Sequence, residues 1–315
     1  MHKHKQSQCK RKVKHRKNVM GLIIFCITVC IVFMFAYYQN LRKEISVRQE
    51  WLETVLTREK KWILENQGPE GEFYMNGSKA GDVNPYFACM AALGLLAETK
   101  NCPMTETEQK AVGRYLDWHT GVLLETDGKM GIYRKESGKL IYKEKADSED
   151  GYLGMYLFLM GKYLEKTEST DLPESWKNGI SLALKKIQSL MQDGITQVSE
   201  ENTTVYLMDN LEVWKGLYEL ELAGLEDTQA ISEIRKKIQK QIEKIFWDDA
   251  NQRWRIIGNS DRYHQTEFYP DGVAQIYPLI YEFPVKEKKK QKVLYDQFTE
   301  RFQWQKLNKK RTGFL

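Results

Sequence analysis

The chain has 315 residues, 42% of them hydrophobic and 29% charged, and a formal net charge of +5. The first seventeen residues carry eight basic side chains (Lys3, Lys5, Lys10, Arg11, Lys12, Lys14, Arg16, Lys17) and no acid, so the rest of the chain sums to −3. The sequence pI of 8.7 therefore belongs to one tail. The body of the protein lacks the basic surplus that nucleic-acid binding requires, and no nucleic-acid partner is expected.

Residues 19–38 hold no charged side chain. At ~1.5 Å rise per residue, twenty residues cover a hydrocarbon core of ~30 Å, so this stretch is read as a single transmembrane helix. Residues 1–18 are then a basic cytoplasmic tail by the positive-inside bias. Tyr37 and Tyr38 fall where an interfacial anchor is expected, and residues 39–315 form an extracytoplasmic domain at the cell membrane. A cleaved signal peptide is the rival reading. It would call for a shorter apolar core and small residues before the cut, where this chain has Phe35, Ala36, Tyr37 and Tyr38. Of five cysteines only Cys89 and Cys102 lie in the exported part, too few for a disulfide framework, though the two could pair. There is no CxxC, HExxH or His/Cys cluster, so neither a metal nor another cofactor is expected.

Four aspartates then recur at intervals of 65, 62 and 62 residues: Asp82, Asp147, Asp209 and Asp271. Each opens an apolar stretch (DVNPYFACMAALGLLAE, DSEDGYLGMYLFLMGKYLE, DNLEVWKGLYELELAGL, DGVAQIYPLIYEF), and the first two are apolar almost all round. Such helices belong in the interior of a large domain. Before each lies a helix with an apolar stripe and a charged back. Trp51, Leu52, Val55, Leu56, Trp62 and Ile63 mark one, and Trp176, Ile180, Leu184, Ile187 and Met191 another. Gly68, Gly121 and Gly194 stand where left-handed C-caps are wanted. Between outer and inner helices, MGIYRKESGKLIYK, ITQVSEENTTVYL and RWRIIGNSDRYHQTEFY read as β-hairpins. The period predicts an all-α fold, an (α/α) toroid of repeated helical hairpins with short β-hairpin connectors.

Over about residues 46–305 this repeat resembles the six-hairpin glycosidases. ADSEDGYLGMYLFL is similar to their second-hairpin signature and resembles the ASDAD-type motif of family 8 hydrolases at Ala146, Asp150, Leu153 and Leu157. Asp147 stands where that motif has Ser or Thr, and Ser148 where it has Asp. YLMDNLEVWKGL is similar to an inner-helix start of the superfamily, and Glu70 and Gly71 to its first-hairpin acid. The resemblance implies a glycoside hydrolase acting on a polysaccharide or oligosaccharide. Four hairpins and part of a fifth are present where the superfamily has six, so the chain is read as an incomplete ring or a fragment.

In a toroid all inner helices start at one face, where Asp82, Asp147, Asp150, Asp209, Glu212 and Asp271 are expected to converge. Carboxylates crowded in a partly desolvated cleft push their pKa values apart, which supplies the acid and base of glycoside hydrolysis. Helix capping is the bland alternative for each, and Asp209 with Glu212 has capping-box spacing. Tyr86, Tyr152 and Trp214, with Tyr206 and Tyr269, set aromatic faces beside these acids, as a sugar subsite would, or pack as core. Asp147, Asp150 and Asp209 are the catalytic candidates; Glu212, Asp82, Asp271 and the aromatics are the binding candidates. Glu70 and Glu72, in a Gly-rich loop, are expected in solvent. Two further readings stay open: a non-catalytic glycan-binding scaffold for surface-polymer assembly, and a polysaccharide lyase using Tyr263 and His264.

Overall fold

The computed structural model describes residues 2–303 except 76, 78–80, 137–138, 170, 226–227, 259–266 and 286–287, with side chains, few excepted, from residue 33 onward. It divides into residues 1–58 and 59–315. The first unit is the greater part of one continuous helix, α1 (His2–Glu65). The expected transmembrane span falls on it, but most of its side chains lie outside the described residues. Among the described residues no helix is long and apolar enough to cross a membrane.

The second unit is mostly helical, with short strand hairpins between its helices. Inner helices α2 (Pro85–Leu96), α4 (Glu149–Thr167), α6 (Leu207–Leu222) and α8 (Val273–Ile280) pack each on the next. Helices α3 (Glu106–Glu125), α5 (Glu174–Leu190), α7 (Thr228–Phe246) and α9 (Lys288–Phe302) follow them in alternation and lie against their backs. The division follows side-chain pattern. On α5, Trp176, Ile180, Ala183, Ile187 and Leu190 are buried at three-to-four spacing. On α7, Ile231, Ile234, Ile238, Ile242 and Phe246 form the same stripe, with lysines on the far side. Fully burying one such side chain is worth about 1.5–3 kcal/mol, so each stripe commits its helix to one face. Helix α4 has no exposed stripe over Tyr152–Leu157 and sits between α2 and α6.

Helices α4 and α6 meet at backbone distance because glycines face each other. A Cβ added to Gly154 would lie 2.6 Å from Val213 N, one on Gly161 2.5 Å from Glu219 C, and one on Gly216 2.5 Å from Gly154 O. These clashes are with backbone, which cannot swing away. Gly154→Ala should therefore cost about 1–3 kcal/mol through overpacking, read as a lower denaturant midpoint at unchanged m-value.

The connectors differ from expectation in detail. β2 (Gly131–Glu136) and β3 (Lys139–Lys145) form the first predicted hairpin, and β1 (Asp82–Val83) adds to its edge, pairing Asp82 with Arg134. The second hairpin comes earlier than predicted. It joins β4 (Met191–Gln192) to β5 (Ile195–Thr196) across Asp193 and Gly194, whose φ values of 52° and 83° suit the two left-handed positions of a tight turn. Gly194 is thus a turn residue, not a helix cap. The third hairpin, β6 (Trp247–Asp248) with β7 (Arg253–Trp254), is also displaced upstream, and part of the expected second run lies outside the described residues. Gly121 lies inside α3, which continues to Glu125; the left-handed residues there are Asp127 and Gly128. Gly68 is not left-handed either. Cys89 is a buried free thiol and Cys102 a partly exposed one, so the two do not pair.

Candidate active site

None of the four repeat aspartates caps a helix. The α2 cap is Asn84, whose side chain accepts from Tyr86 N–H, with Pro85 at the first helical position. The α4 cap is Ser148, accepting from Gly151 N–H. Helices α6 and α8 have no side-chain cap, and the anticipated Asp209–Glu212 capping box is not formed. Asp82, Asp147 and Asp209 are therefore not consumed by helix ends.

Asp82 leaves the cluster. It sits in β1, where Arg134 Nε (2.7 Å) and Lys143 Nζ (2.6 Å) bind its carboxylate. Their hydrogen bonds, Arg134 first, hold its pKa down to about 2. An edge strand places it beside the basic hairpin, away from the helix start. Asp271 lies in the π-turn Phe268–Gly272 ahead of α8, where it is 5% exposed and accepts from Glu267 N–H at 3.2 Å. Asp147 is exposed, one residue before the Ser148 cap.

Three acids do meet: Asp150 in the first turn of α4, and Asp209 and Glu212 in the first turns of α6. Asp150 is fully buried. Its carboxylate is surrounded by Ser148 Oγ (2.8 Å), Thr196 Oγ1 (2.7 Å) and Gly151 N–H (3.0 Å). Burial lifts its pKa to about 6 against the pull of those three donors. Asp209 is half-buried, with Oδ2 2.7 Å from Ser148 Oγ. Desolvation, then the charges of Asp150 and Glu212, raise its pKa well above the carboxylate range.

Glu212 is 1% exposed. Its Oε1 accepts from Tyr277 Oη (2.7 Å), from Tyr86 Oη and, more distantly, from Tyr281 Oη (3.5 Å). Tyr86 belongs to α2 and Tyr277 to α8, so side chains of two other inner helices close on this carboxyl. Burial dominates these donors and pushes Glu212 up to about 8. Its other oxygen, Oε2, is buried without a partner among the described residues. The reason it has room is Gly151. A Cβ there would lie 2.9 Å from Glu212 Oε2, 2.9 Å from Ser148 Oγ and 3.6 Å from Asp209 Oδ1. The missing side chain lets Glu212 Oε2 lie against the Gly151 backbone, with Asp209 Oδ1 beside the same glycine.

No family model and no curated protein sequence matches the chain. Solved structures do. A glycosidase variant superposes with a TM-score of 0.50 at 13% identity, covering 67% of this chain and 61% of its own. A glycosidase in complex with glucose gives 0.48 at 12% identity with the same coverage, and a rhamnosidase from Klebsiella oxytoca with rhamnose bound gives 0.47 at 11%, covering 69% of this chain and 41% of its own. The fold is glycosidase-like. That statement rests on the first of these, and the chain spans 61% of that protein's length.

The remaining candidates are placed as follows. Trp214 is 2% exposed, stacked on Tyr218 with centroids 5.4 Å apart and edge-on to Phe283, with Nε1 3.4 Å from Gln239 Oε1. It is core, and its face is not open to a sugar. Tyr152 is also buried, 5.6 Å from the half-buried Tyr86 ring. Tyr206 is half-buried at the α6 N-cap and Tyr269 is 67% exposed. Glu70 is in solvent, but Glu72 is fully buried, accepting from Tyr74 Oη at 2.6 Å. His119 is buried beside Tyr115 Oη (3.1 Å) and burial drops its pKa to about 3, so it stays neutral. Tyr263 and His264 lie outside the described residues. Among those described, no group of three or more His, Cys, Asp or Glu is arranged to hold a metal ion. A separate cavity of about 570 Å³, walled by Trp254, Asp271, Gln275, Leu294 and Phe298, does not touch the acid trio.

Reading the sequence alone missed Ser148, Thr196, Asn210, Gly151, Tyr277 and Tyr281. The tyrosines did leave a signal: two hydroxyls four residues apart in an otherwise apolar inner helix need a polar partner.

Proposed function

We propose that the chain is a glycoside hydrolase acting on a polysaccharide or oligosaccharide, with Glu212 and Asp209 as its working carboxyl groups. Glycoside hydrolysis needs one carboxylic acid to protonate the leaving oxygen and one carboxylate as base or nucleophile. The observation that carries the reading is the meeting of Glu212 Oε2 and Asp209 Oδ1 at the Gly151 backbone, on two acids with raised pKa values. Glu212, held neutral by burial with Oε1 occupied by tyrosine hydroxyls, has its free Oε2 as the proton donor. Asp209, half-exposed, serves as the partner that must ionise. Asp147, Tyr86, Tyr206 and Tyr269 are available at the rim to grip hydroxyls and stack on sugar faces. The glycosidase-like fold supports the same reading by analogy, as does the (α/α) toroid topology to which these alternating helices correspond.

The test is a digestion screen of polysaccharides with the full chain, reading new reducing ends. Release from at least one glycan is expected. Binding without release would favour the scaffold reading, and products absorbing as unsaturated sugars the lyase.

We further propose that residues 19–38 anchor the domain outside the cytoplasm. Support comes from the uncharged run and from Phe33, Met34, Phe35 and Tyr37, all more than 60% exposed along α1. Protease added to intact cells should digest the domain; protection until lysis would reverse the topology.

A further inference from the structure

Asp209 and Asp150 face one another across a single hydroxyl. Ser148 Oγ lies 2.7 Å from Asp209 Oδ2 and 2.8 Å from Asp150 Oδ1, and accepts Gly151 N–H at 3.3 Å. A serine hydroxyl has one proton, so it can donate to only one of these oxygens. An O···O approach of 2.7–2.8 Å is a hydrogen-bond distance, and on the other side the proton must come from the carboxyl. The arrangement is complete only when one aspartate of the pair is a carboxylic acid.

Either aspartate can be that acid without leaving a group unpaired. When Asp209 holds the proton, it donates to Ser148, which donates to Asp150; Thr196 Oγ1 donates to the other oxygen of the ionised Asp150. When Asp150 holds it, Ser148 donates to Asp209, and Thr196 Oγ1 keeps its bond to Asp150 Oδ2, because the other oxygen in reach, Asn210 Oδ1 at 2.8 Å, is already served. Asn210 is fixed as an acceptor there, because its Nδ2 donates to Thr196 O (3.0 Å) and Tyr206 O (2.9 Å). Thr196 N–H also donates to Asn210 Oδ1, at 2.9 Å.

We propose that Ser148 is a proton bridge through which Asp209 and buried Asp150 exchange one proton, making Asp150 a positioning residue that sets the ionisation of Asp209. The step balances. The Asp209 Oδ2–H bond breaks as a Ser148 O–H bond forms, the former Ser148 O–H bond breaks as an Asp150 Oδ1–H bond forms, and the negative charge moves from Asp150 to Asp209. No water need enter. This deepens the glycosidase reading, on which it rests for its catalytic meaning: Asp209 becomes a base by passing its proton inward.

The surroundings favour sharing over double ionisation. Among the described residues, the charges acting on Asp209 come from Asp150, Glu212 and Asp147, those on the neighbouring phenol of Tyr269 come from Asp209, Asp147, Glu212 and Tyr206, and none of these groups is a cation. Burial lifts both aspartates.

The test follows the carboxyl carbons of ¹³C-labelled aspartate by NMR during a pH titration of the full chain, comparing wild type with Ser148→Ala. Losing the hydroxyl removes a donor from ionised Asp150 and an acceptor from protonated Asp209. The Asp150 midpoint should rise and the Asp209 midpoint fall, each by about one pH unit. Ser148→Thr, which keeps the hydroxyl and the cap, should leave both near their wild-type values. A merely loosened helix start would admit water and lower both midpoints together. That result, or no displacement in either, overturns the proposal. If the alanine variant does not fold, Ser148→Gly, which suits an N-cap and supplies neither donor nor acceptor from its side chain, should give the same opposed displacements. No substrate enters the measurement, so it can fail while the glycosidase reading stands, and succeed where no glycan is cleaved.

Discussion

Glu212→Gln is expected to raise the stability of the domain at alkaline pH and to remove part of its pH dependence. The Glu212 carboxyl is pushed up from 4.5 to about 8 in the folded protein, burial being the largest cause. A folded pKa above the unfolded value means the native state holds a proton that the unfolded chain has released. The stabilising contribution of neutral Glu212 is therefore complete below pH 4.5, declines as pH rises, and is lost above about pH 8. At 1.36 kcal/mol per unit, the whole decline has a ceiling of about 5 kcal/mol. Glutamine mimics the neutral acid: its oxygen accepts from Tyr86, Tyr277 and Tyr281, and its amide takes the place of the unpaired Oε2. Urea unfolding of wild type and variant from pH 5 to 9 checks this. Near pH 5 the two should be alike; at pH 9 the variant should be more stable by several kcal/mol. Asp150 and Asp209 keep a residual slope in both. Equal slopes would mean that Glu212 is ionised in its tyrosine cage, which would also remove it as the proton donor.

Asp209→Asn is expected to abolish hydrolysis of a responsive glycan, by about 10³-fold, while the domain stays folded. Positioned acid or base groups contribute about 10²–10⁴-fold, and Asp209 is the half-exposed carboxyl beside Gly151, where Glu212 Oε2 also lies. The amide keeps a polar contact with Ser148 and removes one of three crowded acids, so circular dichroism and thermal midpoint should hold. Asp147→Asn is the comparison. That side chain is exposed and is not among the groups that meet at Gly151, so its loss should weaken substrate binding more than turnover. Full activity in Asp209→Asn would move the chemistry away from α6. The reverse pattern, with Asp147→Asn inactive, would put the base at the rim.

The helical repeat was legible because it depends on pattern. Ile231, Ile234, Ile238 and Ile242 are spaced for a stripe whatever they pack against, and the apolar run from Tyr152 to Leu159 has no polar face to present to water. Interval and amphipathicity together predict the alternation of buried and outer helices, and they bring Asp150, Asp209 and Glu212 near helix starts. They do not rank those acids. All four repeat aspartates look alike along the chain, yet Asp82 is captured by Arg134 and Lys143 across a strand pair, Asp271 is tied to a local turn, and only Asp209 meets Glu212 at Gly151.

What the sequence by itself determined is the class of fold, the polarity of each helix and the supply of carboxylates at the ends of the inner ones, since these follow from local spacing and composition. Tertiary structure alone decided which acids lose their water and which keep it. It set Gly151 against α6, where Glu212 and Asp209 meet it, and aimed three tyrosines from two other helices at Glu212. It also made Ser148, a departure from the resembling motif, the link between two aspartates. Proton affinity depends on desolvation and on neighbours distant along the chain, and both come into being only when the helices pack.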